Sequence, residues 1–240
     1  MKQLLAVLLT ITFLTNCNTP SQKVTNMPDY EMPKDTLNVG FLIMDGTFNT
    51  ELTAPMDIFH HTVFHVENGG MKVFTVAKSK EAVTTFEGMR ILPDYSYLEN
   101  DYPNIDILVV PSAEHHLDTD LEDTAMINWV KRVGAEAQFV TSHCDGAFVI
   151  AKSGLLEGFA STTFPSDIPK YKKRFPSLEV YDNVLFVHDK KFITSAGGAK
   201  SFEAAMYLVE LLYGKKVADG VAGGMVIDWD VSKIPSKIIE

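Results

Sequence analysis

Apolar residues along this chain follow two patterns, short solid runs and longer stretches with apolar positions three and four apart. Residues 37–44 (LNVGFLIM) form a solid run closed by the turn pair Asp45-Gly46, which predicts a buried strand. From 49 to 66 the period becomes helical, with Leu52, Met56, Phe59, Val63 and Val66 on one face. Residues 71–76 predict a second strand, and 105–110 (IDILVV) the clearest strand of parallel type. Residues 120–133 are amphipathic, with Leu121, Ala125, Trp129 and Val133 at helical spacing and acids in the first turn. Residues 137–141 (AQFVT) predict a strand and 147–156 a helix. Residues 184–187 and 191–194, flanking His188-Asp189-Lys190, predict a hairpin. A long helix is expected over 201–212, with 217–221 extending into another.

Strands alternating with helices imply a mostly parallel sheet covered on both faces. The predicted class is α/β, a flavodoxin-like three-layer sandwich. Ligands of such sheets bind beyond the carboxyl ends of the strands. That directs attention to residues 46–51, 112–116, 142–146 and 195–200.

Composition narrows the function. The chain has 240 residues, 46% of them apolar and 22% charged, which excludes wholesale disorder. With 21 Lys+Arg against 31 Asp+Glu, the net charge of -10 argues against a nucleic-acid surface, which needs clustered cations. Two cysteines exclude a disulfide framework. No apolar stretch is long enough to span a bilayer.

Residues 1–16 have the layout of a signal peptide: Met1-Lys2-Gln3 is a short basic start and residues 4–14 form an apolar core. Leu14-Thr15-Asn16-Cys17 resembles a bacterial lipobox, with Asn16 where Gly, Ala or Ser is usual. Lipidation of Cys17 would tether the protein to a membrane of the bacterial cell envelope, facing outside the cytoplasm; ordinary secretion with cleavage elsewhere is the other reading. Residues 17–35 are polar, hold three prolines and read as a flexible tether, leaving 36–240 as one domain.

The remaining thiol, Cys144, sits where a predicted strand meets a predicted helix, in Ser142-His143-Cys144-Asp145-Gly146-Ala147. Small residues two before and two after the central one are the mark of a nucleophile elbow. A helix start beside the sulfur is expected to lower the thiol pKa. A small buried apolar cysteine is the plainer alternative.

Residues 144–158 (CDGAFVIAKSGLLEG) resemble the nucleophile segment of the ThiJ/PfpI superfamily, the cysteine branch of the class I glutamine-amidotransferase-like fold. Asp45-Gly46 with 51–59 (ELTAPMDIF), 105–111, and 193–199 (ITSAGGA) with Ser201-Phe202-Glu203 resemble its first loop and helix, its central strand and its late turn. The likeness spans about 37–226 and leans toward isonitrile hydratase-like enzymes and the amidase-like halves of AraC-type regulators.

The resemblance implies Cys144 as nucleophile and Glu51 as its acidic partner. It implies backbone N–H donors to an oxyanion at Asp145 and at Ala113, or Ser112. Some branches carry a histidine after the cysteine, where Asp145 stands, and others carry one where Phe164 stands. Ser112, His115, His143 and Phe164 are the further candidate pocket residues, with His116 beside them and His143 expected to be structural. His61 and His65 share a helix face without an identifiable third ligand, so no metal and no cofactor are expected. The implied function is a small-molecule cysteine enzyme of hydrolase, hydratase or lyase type. A non-catalytic ligand or oxidation sensor is the alternative, and a regulator-related domain a weaker one. Implied partners are a small-molecule substrate, a membrane through the lipid, and a second copy in a homodimer, but no nucleic acid.

Overall fold

The structure, a computed structural model, describes residues 27–67 and 69–239. The expected signal peptide and Cys17 lie outside the described residues. Eight strands form the central sheet. In chain order they are β1 (Leu37–Leu42), β2 (Met71–Ala77), β5 (Tyr95–Ser96), β6 (Ile107–Val110), β7 (Phe139–His143), β10 (Phe186–Asp189), β11 (Phe192–Ser195) and β12 (Ser236–Ile239). Two short pairs stand outside it: β3 (Val83–Thr84) with β4 (Arg90–Ile91), and β8 (Ala160–Ser161) with β9 (Glu179–Val180). The sheet order is β12-β10-β11-β7-β6-β1-β2-β5. All neighbours run parallel except β10 and β11, which form the expected hairpin.

Period-two alternation along buried strands builds two cores. Val39, Phe41, Ile107, Val109 and Phe139 face one side, where α1 (Asn49–His61) and α5 (Ser201–Met225) pack. Leu42, Leu108, Val110 and Val140 face the other, toward α2 (Thr124–Glu136) and α3 (Gly146–Lys152). α4 (Ile168–Arg174) adds Tyr171 to this second core. This is the expected flavodoxin-like α/β sandwich.

Several boundaries differ from the sequence pattern, each for a local reason. The first helix stops at His61 and continues only as a 3₁₀ turn, Thr62–Phe64. The stretch from 120 splits at Asp123, whose carboxylate caps α2 by accepting from the N–H groups of Ala125 and Met126. α5 is one run broken at Gly214, where φ is 77°, a conformation glycine adopts without side-chain strain. β3, β4, β5, β8 and β9 are two-residue strands too short to leave a periodic signal. Of the expected tether, residues 17–26 lie outside the described residues. Residues 27–35 form no helix or strand, yet Met27 packs on the first core and the Tyr30 ring lies 5.4 Å from Phe139. Phe139 opens β7, so this segment rests at the amino end of the sheet, opposite the end that carries Cys144.

Gly146 fixes how α3 meets the sheet. A Cβ there would lie 2.0 Å from the Val110 carbonyl oxygen, a backbone atom that cannot step aside. Gly146→Ala is therefore expected to destabilise the fold by about 1–3 kcal/mol in urea unfolding and to disturb the thiol next to it. Unchanged stability would mean that α3 is not packed this closely.

Candidate active site

Cys144 follows β7 directly, and its φ is 53°. Left-handed backbone is unfavourable for a non-glycine residue, by about 1–2 kcal/mol, so the neighbours must hold it. The Cys144 N–H donates to the Ser195 carbonyl at 3.0 Å, tying the elbow to β11. Its carbonyl accepts from Thr163 Oγ1 at 3.1 Å. Gly197 lies flat against it, where a Cβ would fall 2.4 Å from Cys144 Cβ. The strand, the glycine turn after β11 and the start of α3 thus clamp one residue from three sides. The sulfur-bearing residue is 7% exposed.

Carboxyl groups surround that sulfur. Glu51, in the first turn of α1 and 5% exposed, accepts from the Gly198 N–H through Oε1 at 2.6 Å. Its carboxyl interacts with the Cys144 thiol, but Oε2 is buried without an aligned hydrogen-bond partner. Burial raises the Glu51 pKa, against the lowering effect of Gly198 and Cys144. Asp145 Oδ2 accepts from the thiol at 3.7 Å, and Oδ1 accepts from Thr163 Oγ1 at 3.0 Å. Burial first, then the charges of Asp167 and Glu51, push the Asp145 pKa up to about 6. The Asp145 N–H and the Ser112 hydroxyl also point toward the sulfur.

The expected fall in thiol pKa is corrected by this geometry. Burial, followed by the negative charges of Asp145 and Glu51, raises the Cys144 pKa, so the resting sulfur is a thiol at neutral pH. The helix start beside it does not offset desolvation and two acids.

The other candidates divide. The Ala113 N–H, expected to serve an oxyanion, donates to His116 Nδ1 at 3.2 Å. His116 is wholly buried, with a pKa lowered to about 3 by desolvation, so it stays neutral and braces the loop after β6. Ser112 is buried beside the sulfur. His143 is buried and neutral, with Nδ1 3.1 Å from Ser195 Oγ. His115 is exposed among Glu114 and Asp118. Phe164 is 38% exposed; the residue of its segment that reaches the site is its neighbour Thr163. His61 Nδ1 bonds the Asp57 carbonyl at 2.8 Å, and no three metal-ligating side chains gather among the described residues. The sequence reading missed Thr163, Asp167 and the Asp145 side chain. Thr163 lay within a segment already singled out, but attention fell on the missing histidine.

A buried cysteine on a left-handed elbow at the carboxyl edge of a parallel sheet, faced by an acid from the first helix, defines an α/β protein with a cysteine-centred candidate site. The chain belongs to the DJ-1/PfpI family, whose model matches residues 38–211. It is 28% identical over 185 residues to an isonitrile hydratase from Pseudomonas putida, covering 76% of this chain and 75% of that one. It is 26% identical over 167 residues to the protein dj-1beta of Drosophila melanogaster, covering 69% and 87%. In structure it is similar to a THiJ/PfpI family protein from Pseudomonas syringae, with TM-score 0.69 and 22% identity over 86% of this chain and 80% of that one.

The raised Asp145 pKa carries a stability prediction. The unfolded carboxyl ionises near its ordinary value, below the folded one, so the folded state binds the extra proton between them. Asp145 therefore favours folding at low pH, and that contribution is lost as pH rises toward about 6. Asp145→Asn keeps an acceptor for Thr163 without the charge. It is expected to raise stability at pH 7 by on the order of 1–3 kcal/mol, with no gain at pH 4. Equal effects at both pH values in guanidinium titrations would show that no carboxylate is being desolvated.

Proposed function

We propose that this protein is a cysteine-dependent small-molecule enzyme of hydrolase, hydratase or lyase type, with Cys144 as nucleophile and Glu51 as its acidic partner. The observation that carries this reading is the Cys144 elbow at φ 53° with two buried carboxyl groups facing one sulfur. A structural cysteine needs neither a strained backbone nor unpaired acids. Glu51 Oε2, buried and without an aligned partner, is free to engage a reacting group. With Asp145 in place of a histidine after the cysteine, addition to a reactive carbonyl or isonitrile carbon suits the site better than a histidine-relayed amide cleavage. The P. putida isonitrile hydratase makes an isonitrile the first substrate to try.

Conversion of cyclohexyl isonitrile to its formamide, followed by mass spectrometry, tests the reading. Wild-type turnover should fall to background in Cys144→Ala, and by ~10²–10⁴-fold in Glu51→Gln. Turnover that survives Cys144→Ala removes the nucleophile from the reading. The sensor alternative has one observation behind it: a protonated Glu51 would place a hydrogen-bond donor against an oxidised sulfur. Wild-type inactivity on isonitriles, methylglyoxal and simple amides, with Cys144 converted to a stable sulfinate by peroxide, favours that alternative.

We also propose lipid attachment at Cys17 in the cell envelope. Residues 27–35 rest at the amino end of the sheet, so such a tether would leave the Cys144 end facing away from the membrane. Globomycin should block processing of the full chain in cells, and Cys17→Ala should release it from the membrane fraction. Processing indifferent to the drug means ordinary secretion.

A further inference from the structure

We propose that the Asp145 carboxylate, rather than Glu51, takes the thiol proton of Cys144 during attack, in the place where a histidine follows the cysteine in other proteins of this kind. This rests on the reading of Cys144 as nucleophile and divides the work between its two acids.

The geometry separates them. The thiol donates to Asp145 Oδ2 at 3.7 Å; Glu51 also interacts with the thiol, but its Oε2 has no aligned partner. Thr163 Oγ1 sits on Asp145 Oδ1 at 3.0 Å, which fixes the carboxyl plane and leaves Oδ2 turned to the sulfur. Thr163 itself is 1% exposed and also reaches the Cys144 carbonyl, so one hydroxyl positions both the base and the elbow. Glu51 is committed through Oε1 to the Gly198 N–H, across the site. A base must lie within reach of the proton it removes, and its proton affinity should match the working pH. Asp145 meets both conditions, with its pKa near 6.

The charged groups facing Asp145 are Glu51 from α1 and Asp167 from the turn before α4. Asp167 is paired with Lys170 at 3.1 Å. His143 and His116 are buried and neutral, so neither supplies a cation. The thiol therefore has no imidazolium to stabilise it as an ion pair, and its proton must leave as the carbon–sulfur bond forms.

The step balances without an oxidant or reductant. A sulfur lone pair forms the S–C bond, the S–H bond breaks, and its proton passes to Asp145 Oδ2. The electron pair displaced from the attacked multiple bond stays on the substrate. Asp145 then returns the proton to the substrate adduct.

The rate of Cys144 alkylation by iodoacetamide against pH reads this directly, because there the proton also has to leave the sulfur. Wild type should show a limb rising through about pH 6, as Asp145 ionises, before the alkaline limb of the free thiolate. Asp145→Asn should lose the lower limb and react at least ~10-fold more slowly at pH 7. Asp145→Glu should restore the limb. Thr163→Val removes a hydrogen bond that favours the carboxylate, so its limb should move to higher pH. Glu51→Gln should keep the limb.

An Asp145→Asn protein that alkylates as fast as wild type at pH 7 overturns the proposal, since loss of a negative charge alone favours the thiolate. A limb lost in Glu51→Gln and kept in Asp145→Asn also overturns it, assigns the proton to Glu51, and leaves the nucleophile reading intact. A Cys144 that does not alkylate at any pH in folded wild type sinks that broader reading with it.

Discussion

The left-handed backbone of Cys144 is the constraint from which the site follows. An L-residue takes φ 53° at a cost, and only surrounding structure can enforce it. Here the enforcement is backbone against backbone. Gly197 lies where no Cβ could fit beside Cys144, Gly146 lies where none could fit beside Val110, and the Cys144 N–H is held by Ser195. These contacts come from three neighbouring strands, β6, β7 and β11, and the turns at their carboxyl ends. The parallel sheet is thus a device for bringing sequence-distant turns to one point. Aliphatic cores on its two faces make it rigid enough to do so.

Holding the sulfur there decides its electrostatics. The same contacts that impose the elbow exclude water, and desolvation is the largest influence on Cys144, Glu51 and Asp145 alike. All three are driven toward their protonated forms. Ionising one of them makes the others harder to ionise. A resting thiol between two acids is also less exposed to chance oxidation than a thiolate would be, because the thiolate is the reactive form.

The fold was legible because buried parallel strands leave solid apolar runs, as at 105–110, and amphipathic helices leave a three-and-four period, as at 121–133. The short strands were not: two residues, such as Tyr95–Ser96, carry no period. Cys144 and Glu51 could be placed from the elbow spacing and the family likeness. The direction of the thiol pKa could not. Sequence shows a helix start next to the sulfur, but burial and the arrival of Glu51 from 93 positions away are properties of the packed state. Ala113 shows a similar limit. Its N–H was assigned by chain position, and the ring that takes it, His116, is visible only when the loop after β6 folds back. Thr163 was hidden because its hydroxyl acts through Asp145, and nothing in the sequence joins the two.

The acids also show where stability has been given up. A carboxyl group buried without a cation lowers the stability of a fold at neutral pH, and apolar or amide side chains of similar size would not. Several buried polar groups elsewhere are matched. Asp189 accepts from the Ala160 N–H, His188 lies between Tyr207 and the Lys190 carbonyl, and Glu210 takes the Trp229 indole N–H. Around Cys144 the matching fails: Glu51 Oε2 and Ser112 Oγ have no aligned partner, and Asp145 faces two like charges. Two buried acids and two unaligned polar atoms gathered around one strained cysteine, with no cation among them, mark this place as the candidate site.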